Sequence, residues 1–137
     1  MRKKYQRSFD EIQKIVMDTE QFFEQENIDE SLRMKVDLSL EELFVNMVTY
    51  NTETNCEILI EMKSIENGIE VSLTDRNVDR FDPTSAGQVN VDAPLADRVP
   101  GGLGLYLVLK MADSINYEYH GRTSKITFTN KVAEANV

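Results

Sequence analysis

The sequence predicts an α/β sandwich, a largely antiparallel sheet covered on one face by helices. Three observations carry that prediction. Two amphipathic helical stretches come first, and two pairs of segments with alternating polarity follow. A Gly- and Pro-rich stretch, ending in a short helix, separates the two pairs. At 137 residues with 41% hydrophobic content, the chain is long enough for one domain with a real core.

The first helix is expected over Asp10–Glu26, where Ile12, Ile15, Val16, Thr19, Phe22 and Phe23 recur at helical spacing. Asn27-Ile-Asp29 reads as the break, with Asp29 a candidate cap. The second helix runs from Glu30 or Ser31 to Thr49, and Leu40, Leu43, Phe44, Met47 and Val48 form its buried stripe. Asp37 is a candidate cap for a separate last section, so two shorter helices remain open.

Glu57–Lys63 alternates as a strand, with Ile58, Ile60 and Met62 on one side. Glu66-Asn67-Gly68 signals a hairpin, and Ile69–Thr74 returns. Residues 75–102 then hold all three prolines and three of the six glycines, a length of irregular chain that usually serves function. Leu103–Ala112 is a third helix. Ser114–Tyr119 and Ser124–Thr129 close the domain around a turn at Gly121.

A formal charge of −9 disfavours nucleic acid and anionic membranes as direct partners, since both would repel it. Only Arg2–Lys4 forms a short basic start. No apolar run is long enough to cross a bilayer, and the amino terminus lacks a signal-peptide core. Cys56 stands alone, so no internal disulfide or Cys-based zinc site is available, and it reads as a small buried apolar group. A cytoplasmic setting is expected. His120 reads as a turn residue, with no second histidine to build a metal cluster.

Three places carry chemistry. Glu42 and Asn46 are four apart in a helical pattern and share one side. An Asn oxygen can ligate Mg²⁺ that bears phosphates, and a Glu can orient or deprotonate a hydroxyl. Alone, such a pair is equally an ordinary feature of a helix. Asp75 ends a strand, where its carboxylate can accept from a purine amino group or simply cap a turn. Phe81 can face a base or pack. Gly101, Gly102 and Gly104 precede an apolar helix, so backbone N–H groups can approach an anion there. No Walker or dinucleotide fingerprint accompanies them.

Taken together, Glu42-Leu-Phe-Val-Asn46, Asp75 and Pro100-Gly-Gly-Leu-Gly-Leu-Tyr-Leu-Val108 resemble the GHKL (histidine-kinase-like) ATPase superfamily. Within it, the chain looks similar to the small bacterial anti-sigma-factor serine kinases of the RsbW and SpoIIAB type. The resemblance runs from about residue 10 to 130 and includes Phe81-Asp82-Pro83. It implies the Bergerat two-layer sandwich, a single domain over 1–137, and ATP with Mg²⁺ as cofactors. By the same resemblance, Glu42 would be the catalytic carboxylate and Asn46 the Mg²⁺ ligand. Asp75 would recognise adenine, with Thr127 beside it, and Gly101, Gly102, Leu103 and Gly104 would wrap the phosphates. The implied partners are an anti-sigma-factor antagonist protein, phosphorylated on serine, and a sigma factor, with the kinase as a homodimer.

One box departs from the family pattern. Asn77 stands where Asp-x-Gly-x-Gly would place its first glycine, Asp79 takes the next position, and Arg80 adds a residue before Phe81. Asn tolerates the left-handed backbone, so Asn77 is expected to keep the turn. Asp79 would repel a triphosphate unless it turns outward or pairs with Mg²⁺ or an arginine, for which Arg76, Arg80 and Arg98 are at hand. That departure motivates the alternative of a non-catalytic regulator that keeps the fold and acts by contact.

Overall fold

A computed structural model describes residues 1–79 and 108–133. Among these residues, five antiparallel strands form one sheet in the order β1-β2-β3-β5-β4. They are β1 (Arg2–Tyr5), β2 (Ile58–Ile65), β3 (Gly68–Arg76), β4 (Ser114–His120) and β5 (Thr123–Lys131). Two helices, α1 (Ile12–Glu26) and α2 (Arg33–Tyr50), cover one face. The α/β sandwich expected from the sequence is the fold observed.

Strand alternation sorts the two faces. Ile58, Ile60 and Met62 of β2, Ile69, Val71 and Leu73 of β3, and Ile126 and Phe128 of β5 point into the helix layer. There they meet Phe22 and Phe23 of α1 and Val36, Leu40, Leu43, Phe44 and Met47 of α2. The reverse face carries Glu61, Lys63, Glu70, Thr74, Lys125 and Thr127, the polar half of the period-two pattern.

Local chemistry sets the ends of the elements. Asn27, at φ 53°, closes α1 in the left-handed region, and the Ile28 amide returns to the Phe23 carbonyl at 3.0 Å. Asp29 is a cap, accepting from the Ser31 amide at 2.9 Å, and it starts the 3₁₀ turn Glu30–Leu32 that leads into α2. Asp37 caps nothing. It lies within a continuous α2 and accepts from Arg33 Nε at 3.0 Å, an i,i+4 pair that serves helix propagation instead of a break.

The hairpins differ from their sequence signals by a residue or two. The β2–β3 loop is Glu66-Asn67, with Asn67 at φ 63°, and Gly68 already belongs to β3. Its missing side chain has another use, because a Cβ there would overlap the Asn130 carbonyl of β5. Gly121 and Arg122, at φ 56° and 59°, form the two-residue β4–β5 turn, which leaves His120 as the last residue of β4. Of the expected third helix, residues 108–112 lie among those described, and 108–111 are helical while Ala112 is not.

β1 has no counterpart in the sequence reading. Arg2-Lys-Lys-Tyr5 has little alternating hydrophobicity, yet it pairs with β2 from Arg2↔Glu61 to Tyr5↔Ile58. Its charges suit an edge strand, where they discourage further pairing. Tyr5 anchors it, buried at 1% exposure and donating to Asp18 of α1 at 2.6 Å, while Lys3 Nζ reaches the same carboxylate at 2.8 Å.

Burial works against ionisation of Asp18, but the hydrogen bonds from Lys3 and Tyr5 and the charges of Lys3 and Lys14 outweigh it and hold the carboxyl below its usual range. A carboxyl lowered on folding stabilises the fold above its unfolded value of about 3.9 and ceases to do so as pH falls through the folded value. Asp18→Asn is therefore expected to cost about 1–2 kcal/mol at pH 7. In urea titrations at a series of pH values, that difference from the natural chain shrinks as pH drops below about 3.9.

Candidate functional site

The C-terminal half of α2, the end of β3 and the β4–β5 turn converge at one end of the sheet. Glu42 is half-buried on α2, and Asn46, one turn on, is 8% exposed. Asn46 Nδ2 donates to the Glu42 carboxylate at 2.6 Å and to the Glu42 carbonyl at 2.7 Å. This fixes the amide, and it leaves Asn46 Oδ1 buried without a hydrogen-bond partner among the described residues. Buried acceptors are rarely left so, and those that are call for a ligand or a functional reason.

Asp75 lies on the core face of β3, one residue before its end, with Leu73 and Val71 along the same row. It is fully buried, and both carboxylate oxygens are engaged. Arg7 Nη2 donates to Oδ1, and Asn51 Nδ2 donates to Oδ2 at 2.8 Å. Arg7 Nη1 also donates to the Met47 carbonyl at 3.2 Å, so one guanidinium ties the N-terminal segment to α2 beside Asn46 and to β3. Burial drives the Asp75 carboxyl above its ordinary range, against the Asn51 hydrogen bond and the charge and hydrogen bond of Arg7. Neither Arg7 nor Asn51 stood out in the sequence. Both lie in irregular connections far from position 75, and nothing local pairs them with it.

The register also revises the expected neighbour of Asp75. Thr127 pairs with Ser72 and points to the reverse face, while Ser124, buried at 5% exposure, sits directly across from Asp75. An odd separation along β5 puts Thr127 on the wrong side of the sheet.

Beyond β3 the chain turns as the substituted box anticipated. Asn77 has φ 58°, the left-handed conformation expected of it. Its side chain donates to Cys56 Sγ at 3.4 Å, so Cys56 is a half-buried acceptor here and not a core group. Val78 is held by its own amide to the Arg122 carbonyl at 3.0 Å and by Tyr119 Oη to its carbonyl at 2.7 Å. Asp79 is 77% exposed and pairs with Arg122 at 3.0 Å. It thus turns outward and meets an arginine, though one from the β4–β5 turn and not Arg76; Arg80 and Arg98 lie outside the described residues. Thr52, Glu53, Thr54, Asn55, Asn77 and Arg122 line an open polar notch of about 530 Å³ next to this turn. Phe81, Gly101, Gly102, Leu103 and Gly104 also lie outside the described residues.

Residues 7–130 match the histidine kinase-like ATPase domain. The chain belongs to that family. No curated protein matches it. Among solved structures it is similar to the RsbU and RsbW domains of Rv1364c from Mycobacterium tuberculosis, at 10% identity and a TM-score of 0.68. That alignment covers 96% of this chain and 32% of the other, so this chain spans about a third of the Rv1364c chain. It is also similar to the Acinetobacter baumannii histidine kinase AdeS, at 12% identity and a TM-score of 0.55, covering 96% of this chain and 67% of AdeS. At such identities the likeness is one of fold. No helix among the described residues is long and apolar enough to cross a membrane.

Histidine kinase-like ATPase domains generally bind ATP with Mg²⁺. The orphaned Asn46 Oδ1 is a hard oxygen donor suited to Mg²⁺. No group of three His, Cys, Asp or Glu side chains able to hold a metal occurs among the described residues. Mg²⁺ commonly takes few protein ligands beside phosphate and water, so a single side-chain oxygen suits it.

Removing a buried acceptor leaves its donors unpaired. Asp75→Ala, which takes away the acceptor that Arg7 and Asn51 share, is expected to cost about 1–3 kcal/mol in a urea unfolding titration.

Proposed function

We propose that residues 1–137 form one ATP- and Mg²⁺-dependent serine kinase domain that phosphorylates a small antagonist protein and sequesters a regulatory partner. The observation that carries this reading is the Glu42–Asn46 pair, in which Glu42 fixes the Asn46 amide and its oxygen is buried with no hydrogen-bond partner among the described residues. Asn46 would hold Mg²⁺, which when bound neutralises phosphate charge. Glu42 would orient or deprotonate the attacking serine hydroxyl. Asp75 would read the base amino group, Asn77 would keep the turn beneath it, and Phe81 would bound the base. Gly101, Gly102, Leu103 and Gly104 would supply backbone donors to the phosphates.

The resemblance of the motifs to the RsbW and SpoIIAB type is what motivates an anti-sigma-factor role, with an antagonist protein and a sigma factor as alternating partners of a cytoplasmic homodimer. The fold shared with a chain that includes an RsbW domain accords with it. The charge of −9 supports protein partners over nucleic acid.

A second reading is a partner-switching regulator that binds nucleotide weakly or not at all. It is favoured by the full burial of Asp75, by its engagement with Arg7 and Asn51, and by Asn77 and Asp79 at the glycine positions.

Calorimetry with ATP, with and without Mg²⁺, and transfer of labelled phosphate to a candidate antagonist separate the two. The kinase reading expects Mg²⁺-dependent binding that Asn46→Ala weakens by at least tenfold, about 1.4 kcal/mol. It also expects Glu42→Gln to retain that binding while serine phosphorylation falls by about 10²–10⁴-fold. Nucleotide binding without any serine phosphorylation by the natural chain would sink the kinase reading, and tight Mg²⁺-dependent binding would count against the second.

A further inference from the structure

The guanidinium of Arg7 stands where a base would have to arrive. Taking the nucleotide reading above as its premise, we propose that Arg7 sets the affinity of the base subsite by competing with the purine for Asp75. Adenine binds only when Arg7 withdraws.

Three observations support this. The first is occupancy. Asp75 has no exposed surface, and its two oxygens accept from Arg7 and Asn51. An exocyclic amino group is a donor of the same kind, and because these donors and the core enclose the carboxylate completely, it reaches Asp75 only if one of them moves aside. A charged guanidinium in a desolvated pair is a stronger donor than a neutral amine, so the exchange lowers apparent affinity.

The second is that Arg7 is incompletely held. Its Nη1 and Nη2 have partners at Met47 and Asp75, but its Nε is buried with none among the described residues. A buried donor left unpaired carries a desolvation cost that withdrawal to solvent relieves. Asn51, the other donor, has its amide bonded to the Met47 carbonyl at 3.1 Å at the end of α2, so it is the less free of the two to move.

The third is the segment that carries Arg7. Gln6–Ser8 joins β1 to the 3₁₀ turn Phe9–Glu11, and its other described hydrogen bonds are local. The Ser8 amide reaches the Gln6 carbonyl at 2.8 Å, the Gln6 amide reaches Glu11 at 3.2 Å, and Ser8 Oγ accepts from the Asp10 amide at 3.2 Å. Phe9 is 55% exposed. The segment can therefore shift as a unit, surrendering few contacts beyond those of Arg7 itself. Such a small, self-bonded unit belongs to the low-stability end of a fold.

The test titrates Mg·ADP into the full chain and into Arg7→Met, which keeps the stem and removes every donor, with inorganic pyrophosphate plus Mg²⁺ as a ligand lacking a base. Arg7→Met is expected to bind Mg·ADP at least tenfold more tightly, with pyrophosphate affinity unchanged. Equal or weaker Mg·ADP binding by a folded Arg7→Met, or an equal gain for pyrophosphate, would overturn the proposal. Hydrogen exchange on the natural chain serves where that variant does not fold. Saturating Mg·ADP is expected to lower amide protection over residues 6–11, and unchanged or higher protection there overturns the proposal while leaving nucleotide binding intact. Failure of both proteins to bind Mg·ADP at millimolar concentration overturns the nucleotide reading and the competition together.

Discussion

A carboxylate on the buried face of a central strand constrains this molecule more than any other group. Asp75 continues the row of Ile69, Val71 and Leu73, so the pleat of β3 that drives those side chains into the core drives a charge there as well. A buried charge persists only with donors around it. Arg7 arrives from the N-terminal segment, Asn51 from just beyond α2, and Ser124 stands across on β5. Three separate stretches of chain are thus drawn to the same end of the sheet, the end at which α2 presents Glu42 and Asn46.

The two polar clusters at that end differ in how they are satisfied. Around Asp75 the protein supplies the donors itself, apart from the unpaired Nε of Arg7, and the group is closed off. Around Asn46 it satisfies one side of the amide, and the oxygen has no partner among the described residues. A ligand that reaches both must find the second ready and the first occupied. The turn after β3 follows a similar economy, since Asn77 takes the left-handed conformation a glycine would take and Arg122 draws the Asp79 carboxylate outward. Substitutions that look disabling when read one by one are thereby accommodated by neighbours from the β4–β5 hairpin.

Where the hydrophobic period was strong, the elements could be read from the chain. The stripes of α1 and α2 and the alternation of β2, β3 and β5 are each the direct imprint of a helix or strand with one buried side. Boundaries slipped where a residue had a tertiary duty. Gly68 looked like half of a turn and is instead the point where β5 backbone passes too close for a side chain. Asp37 looked like a cap and is a mid-helix partner of Arg33. β1 left little trace, because an edge strand held by backbone pairing and a single buried Tyr5 needs no alternation of its own.

The sequence by itself determined the layered α/β fold, the shared helix face of Glu42 and Asn46, the left-handed turn at Asn77, and membership of a nucleotide-binding ancestry. The first three depend on spacing along an element or on the backbone preference of one residue, local rules that survive without coordinates, and the last on the resemblance that several motifs carry in order. Only the tertiary structure decided that Ser124 and not Thr127 faces Asp75, that Arg122 takes the charge of Asp79, and that Arg7 occupies the buried carboxylate. Those contacts join residues 43 to 68 positions apart or depend on strand register. A one-residue shift in register turns a side chain to the opposite face of a sheet, and no spacing within a single strand reveals it.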